Sequence, residues 1–320
     1  MGKKHKILIL KASNYSKEAI KIYKDAGKVY LRKPNNKNNK ITVLVTRIDQ
    51  YIGKNFLSHY PKAKFIISPT TGINHIDSVY CEKMGIQIIY FDKPLEFLKK
   101  VTSTAELTLG LILALVRKLP QAHIDVVERR IWNRNRYEGR ELSRMTLGIV
   151  GLGRLGGRLA AYSKPIFAKV MAFDPFKPPG HFRSLGVVKT PLRLLLKKSD
   201  IVSIHARQNK KETPVLGKNE LSWLKKGAFL VNTARPQLID ENEIVKKLRN
   251  KKIAGIGMDG LLNEACMKKR WKSPLLRAAK KGYNVIITPH IGGVTNDAFR
   301  VTEIEMAKIA TNILLSNKKY

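Results

Sequence analysis

Residues 146–156 read TLGIVGLGRLG, in which a short apolar run meets three glycines spaced as GxGxxG. The run predicts a buried strand, and Gly151, Gly153 and Gly156 fall where that strand turns into a helix. In this context the first glycine permits a tight turn, the second lets a pyrophosphate approach the backbone, and the third lets helix and strand pack closely. The helix N-terminus offers free N–H groups to phosphate. We therefore predict a dinucleotide cradle here, although FAD and S-adenosylmethionine would also fit the three glycines.

A carboxylate near the cradle narrows the choice of dinucleotide. The next strand candidate ends in VMAFDP, residues 170–175, which places Asp174 18 residues after Gly156. A carboxylate at this spacing can accept both ribose hydroxyls of NAD and would repel the 2′-phosphate of NADP. The cofactor we predict is therefore NAD.

Short apolar runs recur along the chain on both sides of the glycines. Between them lie amphipathic stretches, an alternation that is typical of parallel sheets with helical crossovers. The strand candidates are residues 6–10, 41–45, 64–68 and 86–90 in a first block, and 147–150, 170–173, 201–204, 228–231, 253–257 and 285–287 in a second. The second block predicts a doubly wound sheet, and the fold class is α/β.

Two helices are predicted outside this alternation. The stretch TSTAELTLGLILALVRKL, residues 102–119, begins with capping candidates ahead of Glu106 and is apolar nearly all round. We expect it to be buried, either in a subunit interface or between domains. The last helical pattern covers residues 298–315.

Composition and charge bound the class of protein. The chain has 320 residues, of which 43% are hydrophobic, so it can bury the core of about two domains and is not disordered. It carries 61 Lys and Arg against 24 Asp and Glu, a formal charge of +37. Such a charge draws in phosphates, acidic metabolites or nucleic acid. Because the lysines occur in every segment and do not alternate with aromatic residues, we expect nucleic-acid contact only through non-specific charge.

Other features exclude further classes. Cys81 and Cys266 are far apart and form no CxxC, which indicates neither a disulfide framework nor a metal site and fits the cytoplasm. The apolar run near the N-terminus is too short for a secretory signal. The longest apolar segment, residues 107–116, is about half of what spans a bilayer, so we expect no membrane insertion.

Chemistry-bearing residues follow three later strand candidates. Arg235 comes after one strand, Asp259 and Glu264 after the next, and His290 after the last. Open α/β sheets bind ligands at the carboxyl ends of their strands. An arginine, a glutamate and a histidine at that edge form a plausible catalytic set.

At these residues the chain resembles the D-isomer-specific 2-hydroxyacid dehydrogenases, which include D-3-phosphoglycerate dehydrogenase, D-lactate dehydrogenase and glyoxylate reductase. The resemblance rests on TTGINHID (70–77), TSTAELTLGLILAL (102–115), TLGIVGLGRLG (146–156), SDIVSIH (199–205), LVNTARPQLID (230–240) and ITPHIGG (287–293). These motifs occur in the family's order with family-like spacing.

The resemblance implies a Rossmann NAD-binding domain, residues 101–290, inserted into a flavodoxin-like substrate-binding domain made of residues 1–100 and 291–320. It implies a homodimer formed by the helix after Thr102 and the arm IWNRNRYEGREL, residues 131–142. Because the chain ends about a helix after His290, we expect no additional regulatory domain.

The resemblance also implies roles for individual residues. Arg235, Glu264 and His290 match the family's catalytic residues, and Thr71, Gly72 and Arg235 match substrate-binding positions. The cofactor-binding positions are Thr71, Gly151, Gly153, Arg154, Leu155, Gly156, Asp174, Thr233, Ala234, Asp259, Gly292 and Gly293. The implied reaction interconverts a D-2-hydroxyacid and its 2-ketoacid with NAD. Arg235 would hold the substrate carboxylate, and His290, paired with Glu264, would exchange a proton with the substrate oxygen.

Three positions depart from the family pattern. Pro236 stands where a glycine is usual, Ala265 lacks a proline that would stiffen the loop of Glu264, and Arg207 replaces a proline of the adenine pocket. Neither these residues nor the charge removes a member of the catalytic set. The alternative is a catalytically silent, NAD-sensing interaction protein like the family's co-repressor relatives.

Overall fold

The computed structural model describes residues 5–33, 40–208, 213–264 and 266–316. The chain divides into two compact units, which we term the discontinuous unit, Met1–Val101 with Val294–Tyr320, and the central unit, Thr102–Gly293. The predicted boundaries at 100 and 291 lie within three residues of these divisions.

The discontinuous unit contains a parallel five-stranded sheet in the order β2-β1-β3-β4-β5. This is the strand order of the flavodoxin-like sheets. The runs of valine, isoleucine and leucine are buried because helices cover both faces of a parallel sheet. The elements are β1 (His5–Ile9), α1 (Lys17–Ala26), β2 (Gly27–Tyr30), β3 (Val43–Val45), α2 (Lys54–Leu57), β4 (Phe65–Ile67), α3 (Ser78–Lys83), β5 (Gln87–Ile89) and the last helix, α13 (Asn296–Ser316).

The central unit contains a parallel seven-stranded sheet in the order β12-β11-β10-β9-β6-β7-β8. The order reverses between β6 and β9, which pair directly. The predicted class of two doubly wound parallel sheets is thereby confirmed. The elements are α4 (Ser103–Val116), α5 (Leu119–Val127), β6 (Thr146–Val150), α6 (Arg154–Ser163), β7 (Lys169–Phe173), α7 (Pro179–Leu185), β8 (Val188–Lys189), α8 (Leu192–Lys198), β9 (Ile201–Ile204), α9 (Lys218–Ser222), β10 (Ala228–Asn232), α10 (Glu241–Arg249), β11 (Ile253–Asp259), α11 (Met267–Arg270), α12 (Pro274–Lys280) and β12 (Val285–Thr288).

The helix predicted in residues 102–119 is observed as α4, which ends at Val116. A second helix, α5, follows after Lys118, which takes a left-handed φ of 51°, and Pro120 lies in its first turn. Thr102 does not cap α4; its hydroxyl donates to the Glu106 carboxylate instead. Leu111 and Leu115 of α4 face Gly257 of β11, so this apolar helix covers the sheet of its own unit.

The apolar helices also bear on the membrane question. Among the described residues, no single helix is both long and apolar enough to cross a bilayer. The bent pair Glu96–Val116 and Leu119–Val127 reaches the required length and hydropathy when its two segments are taken together.

Candidate active site

Arg235, Glu264 and His290 follow three strands that are neighbours in the central sheet. β10, β11 and β12 pair in parallel, so their carboxyl ends lie at one edge. Arg235 comes three residues after β10, Glu264 five after β11, and His290 two after β12. The topology thus brings the three predicted residues to one edge of one sheet.

His290 and Glu264 form a direct pair. The distance between His290 Nδ1 and Glu264 Oε1 is 2.6 Å, and the two side chains are 26% and 33% exposed. Partial exposure leaves them reachable by a small molecule. His290 takes φ of 56°, which an L-residue adopts only where its surroundings hold it.

Arg235 lies in the electrostatic range of two carboxylates. Burial lowers the pKa of its guanidinium from the usual value, and the charges of Glu264 and Asp259 raise it. Its Nη1 donates to the carbonyl oxygen of Ala234 at 2.7 Å. The guanidinium therefore remains a cation that is held beside Glu264.

Asn232, which the sequence analysis did not single out, braces the turn of Arg235. It is buried at the end of β10, where its side-chain amide donates to the Arg235 carbonyl oxygen at 2.7 Å and accepts from the Ala234 N–H at 3.0 Å. Both ends of the amide are used, which fixes the backbone that carries the guanidinium. A buried asparagine at the carboxyl end of an apolar strand is the signal that could have identified it.

Asp259 braces the loop of His290. Its buried carboxylate accepts from the Thr288 hydroxyl and from the N–H groups of Ile291 and Gly292, each at 2.7 Å. These partners lie on both sides of His290, so the carboxylate holds the loop in place. The predicted contact of Asp259 with nicotinamide stays a prediction.

The glycine cradle fits a dinucleotide. Gly151 has φ of 94°, and a Cβ there would lie 2.6 Å from the Ala206 nitrogen. A Cβ on Gly156 would lie 2.1 Å from the Gly151 carbonyl oxygen, so α6 packs closely on β6 only with glycine. A Cβ on Gly153 would meet nothing within 4 Å, and Gly153 begins α6 without a side-chain cap. Open space in front of uncapped N–H groups is what a pyrophosphate requires.

The other predicted cofactor positions surround this cradle or the edge beside it. Asp174 directly follows β7 and accepts from the N–H groups of Leu152 at 2.8 Å and Phe176 at 2.9 Å, which holds its carboxylate against the glycine loop. A carboxylate has about four lone-pair sites, so acceptor capacity remains for ribose hydroxyls. The Thr233 hydroxyl lies 2.7 Å from that of Thr108. The remaining positions, Arg154, Leu155, Ala234, Gly292 and Gly293, lie at the start of α6 or in the loops after β10 and β12.

Thr71 and Gly72 belong to the discontinuous unit. They follow β4 in a turn that is held by a hydrogen bond from the Thr70 hydroxyl to the Gly72 carbonyl oxygen, at 2.8 Å. The Ser68 hydroxyl lies 2.8 Å from that of Thr70 and 3.2 Å from Nε2 of the buried His75. The contacts of Thr71 and Gly72 with substrate and cofactor stay predictions.

Two of the three departures from the family pattern, Pro236 and Arg207, lie among the described residues. Pro236 begins a short 3-10 turn after an extended Arg235, a geometry that proline favours on both sides. Arg207 is exposed after β9, and its effect on an adenine pocket stays a prediction. Ala265 lies outside the described residues.

Comparison with known proteins identifies relatives over nearly the whole chain. Residues 109–292 match the model of the D-isomer specific 2-hydroxyacid dehydrogenase NAD binding domain. D-3-phosphoglycerate dehydrogenase of Methanocaldococcus jannaschii is 30% identical over 96% of this chain and 57% of its own length. Glyoxylate reductase of Thermococcus litoralis is 30% identical over 82% of this chain and 77% of its own length.

A solved structure agrees with these relatives. D-lactate dehydrogenase from Aquifex aeolicus, complexed with NAD and lactic acid, is 26% identical and superimposes with a TM-score of 0.74 over 98% of this chain and 96% of its own. This chain spans about half the length of the curated phosphoglycerate dehydrogenases it matches.

Proposed function

The chain belongs to the D-isomer-specific 2-hydroxyacid dehydrogenase family, and from that premise we propose that it interconverts a D-2-hydroxyacid and the corresponding 2-ketoacid with NAD. The NAD-binding domain supplies the cradle after β6. Bound in this cradle, NAD would supply the hydride exchange with the 2-carbon of the acid.

Arg235 holds and orients the substrate. Its guanidinium can form two parallel hydrogen bonds to a carboxylate, and it stays charged at every working pH. Asn232 fixes the backbone of this residue, so the cation is positioned before substrate arrives. Orientation of this kind is worth several kcal/mol in a reaction barrier.

His290 exchanges the proton at the substrate oxygen. Because Nδ1 is held by Glu264, Nε2 is the nitrogen that meets the substrate. In ketoacid reduction the charged imidazolium donates its proton to the developing alkoxide, and in hydroxyacid oxidation the neutral ring takes it back. The Glu264 carboxylate fixes the orientation of the ring.

The 2.6 Å pair between His290 and Glu264, in the electrostatic range of the half-buried cation Arg235, is the observation that carries this proposal. An interaction protein without activity would not require an acid and base pair next to a carboxylate-binding cation. The named relatives are dehydrogenases and reductases, which does not favour the silent alternative.

A screen of 2-ketoacids tests the proposal. Glyoxylate, pyruvate, hydroxypyruvate and its phosphorylated analogues are each mixed with NADH, and separately with NADPH, while absorbance is followed. We expect at least one ketoacid to consume NADH, with the D-hydroxyacid as product in chiral analysis wherever the product is chiral. Binding of NADH without turnover of any ketoacid would contradict the proposed activity.

A homodimer is the second part of the proposal. α5 and the segment after it expose large apolar side chains, including Val127 at 63% and Trp132 at 89%. Exposed apolar groups of this kind mark protein interfaces. In sedimentation velocity we expect about twice the chain mass of 36.2 kDa. Trp132→Arg with Val127→Glu should sediment as a monomer, whereas Trp271→Arg, at a similarly exposed tryptophan, should not change the mass.

A further inference from the structure

Among the residues that flank the strands of the central sheet, Lys and Arg are more frequent before the strands than after them. In a parallel sheet, the residues that precede each strand lie at the amino edge. The five residues before each of β6, β7, β9, β10, β11 and β12 include eleven Lys and Arg, whereas the five after each of the same strands include four. The eleven, which we term the amino-edge cations, are Arg144, Lys164, Lys197, Lys198, Lys225, Lys226, Arg249, Lys251, Lys252, Lys280 and Lys281.

These cations are available to a partner. All except Lys252 are exposed. The same windows contain two acids: Glu141, which pairs with Arg144 at 3.3 Å, and the buried Asp200, which accepts from Lys225 at 2.8 Å. Within the described ranges, the other nine amino-edge cations form no ion pair.

Helix dipoles account for only part of this charge. A cation in the last turn of a helix is stabilised by the negative end of the dipole, which explains four of the amino-edge cations: Lys197, Lys198, Arg249 and Lys280. The effect falls off within that turn. Lys226 and Lys251 lie beyond the ends of α9 and α10, so the dipole does not require them.

The dimensions of the edge match a nucleic acid duplex. Six neighbouring strands spaced about 4.8 Å apart cover about 24 Å. A duplex carries one phosphate charge per about 1.7 Å of its axis, so a segment of this length carries roughly fourteen phosphates on its two strands. Rows of lysine and arginine against phosphates provide sequence-independent binding.

Two other polyanionic partners fit less well. Surfaces that adsorb to membranes combine cations with exposed apolar side chains, and no large apolar side chain is exposed in these six windows, all of which the structure describes. Single strands stack on exposed aromatic rings. Trp223 and Tyr283, the aromatic residues beside Lys225 and Lys281, pack against the core instead.

We propose that the amino edge of the seven-stranded sheet binds double-stranded nucleic acid through its phosphates, without sequence preference. This edge is opposite to the strand ends that carry Arg235, Glu264 and His290. Binding there is therefore independent of the proposed oxidoreductase activity.

The test measures anisotropy of labelled DNA and RNA duplexes of about two helical turns, roughly 21 base pairs, over a range of salt concentrations. The edge variant replaces six amino-edge cations that form no ion pair by glutamine: Lys197, Lys198, Lys226, Lys251, Lys280 and Lys281. The control variant removes the same charge from the discontinuous unit by replacing exposed lysines with glutamine: Lys17, Lys21, Lys24, Lys62, Lys83 and Lys93.

For the unaltered protein, log affinity should fall linearly with log salt, with a slope of about −0.9 per phosphate contacted. The slope of the edge variant should be smaller in magnitude by about 0.9 for each phosphate contact removed, while the control variant keeps the slope of the unaltered protein. NADH binding and thermal unfolding, measured on both variants, show that each is folded.

The outcomes separate the surfaces. Duplex binding that only the edge variant loses supports the proposal, whichever duplex binds more tightly. Equal losses of duplex affinity in both variants would show that binding depends on total charge and not on the amino edge, and would overturn the proposal. Absence of duplex binding, or binding to phosphatidylserine vesicles in place of duplexes, would overturn it as well.

Discussion

His290 and Glu264 form a pair, and replacing Glu264 by glutamine removes the carboxylate charge but keeps nearly the same side-chain shape. Glutamine can keep a hydrogen bond to Nδ1 but carries no charge. We expect ketoacid reduction to slow by roughly 10- to 100-fold. The kcat/KM for ketoacid reduction measures this. An unchanged kcat/KM would show that the charge of Glu264 plays no part in proton exchange.

Substitutions of Thr288 test whether its hydrogen bond to Asp259 positions the loop of His290. Thr288→Val removes a hydroxyl that donates to the buried Asp259 carboxylate, whereas Thr288→Ser keeps it. Loss of one buried hydrogen bond of this kind costs about 1–3 kcal/mol. We expect Thr288→Val to lower kcat while Thr288→Ser remains close to the unaltered protein. Equal kcat values for the two variants would contradict a positioning role.

His205 makes stability depend on pH. It follows β9, its Nε2 lies 2.8 Å from the Ser203 hydroxyl, and burial lowers its pKa from 6.5 to about 4. The unfolded chain takes up the proton below about pH 6.5, whereas the folded chain resists until about pH 4. The free energy of unfolding therefore falls as pH drops through this window, by about 2 kcal/mol between pH 7 and pH 5.

Urea unfolding at these two pH values, in the unaltered protein and in His205→Gln, measures this contribution. Glutamine does not titrate, so the variant should lose less stability on acidification, even if it starts from a lower value. The same pH dependence in both proteins would assign the acid sensitivity to other groups.

At the residue scale, sequence reasoning identified the groups that carry charge but not those that hold them. Arg235, Glu264 and His290 follow apolar strands, so their common edge could be predicted from strand order. Asn232 also stands at the end of an apolar strand, but its role depends on the turn that brings Ala234 and Arg235 back to its amide. A short-range pattern does not encode that geometry.

At the scale of the β6–α6 element, substitutions of two glycines distinguish the packing of α6 on β6 from the binding of the cofactor. In Gly156→Ala the new Cβ would meet the Gly151 carbonyl oxygen, so we expect a loss of about 1–3 kcal/mol in unfolding free energy together with weaker NADH binding. In Gly153→Ala the Cβ meets no protein atom, so stability should be unchanged while NADH affinity falls. Thermal unfolding and NADH fluorescence titration measure both. Unchanged NADH affinity in Gly153→Ala would contradict the cradle.

The strands missed from the sequence are two of the four edge strands. β2 (Gly27–Tyr30) and β8 (Val188–Lys189) each pair with one neighbour, and their residues are largely half-buried or exposed. Without burial on both faces there is no continuous apolar run to detect. The ten predicted strands are all observed, because each has such a run.

At the scale of the whole molecule, the sequence shows the amount of positive charge but not where the fold places it. Lysines occur in every segment, which suggested solvated faces throughout. The sheet gathers short, separated stretches such as residues 197–198 and 280–281 at one edge, and this proximity depends on the topology. Neither the net charge of the chain nor any single run of residues shows that these stretches lie at one edge.

The central claim is that three side chains at neighbouring strand ends perform NAD-dependent interconversion of a 2-hydroxyacid and a 2-ketoacid. NADH consumption by His290→Asn, compared with the unaltered protein on its best ketoacid, tests this most directly. We predict retained NADH binding and a rate lower by about 10²- to 10⁴-fold. Turnover by the variant at the unaltered rate would contradict the account.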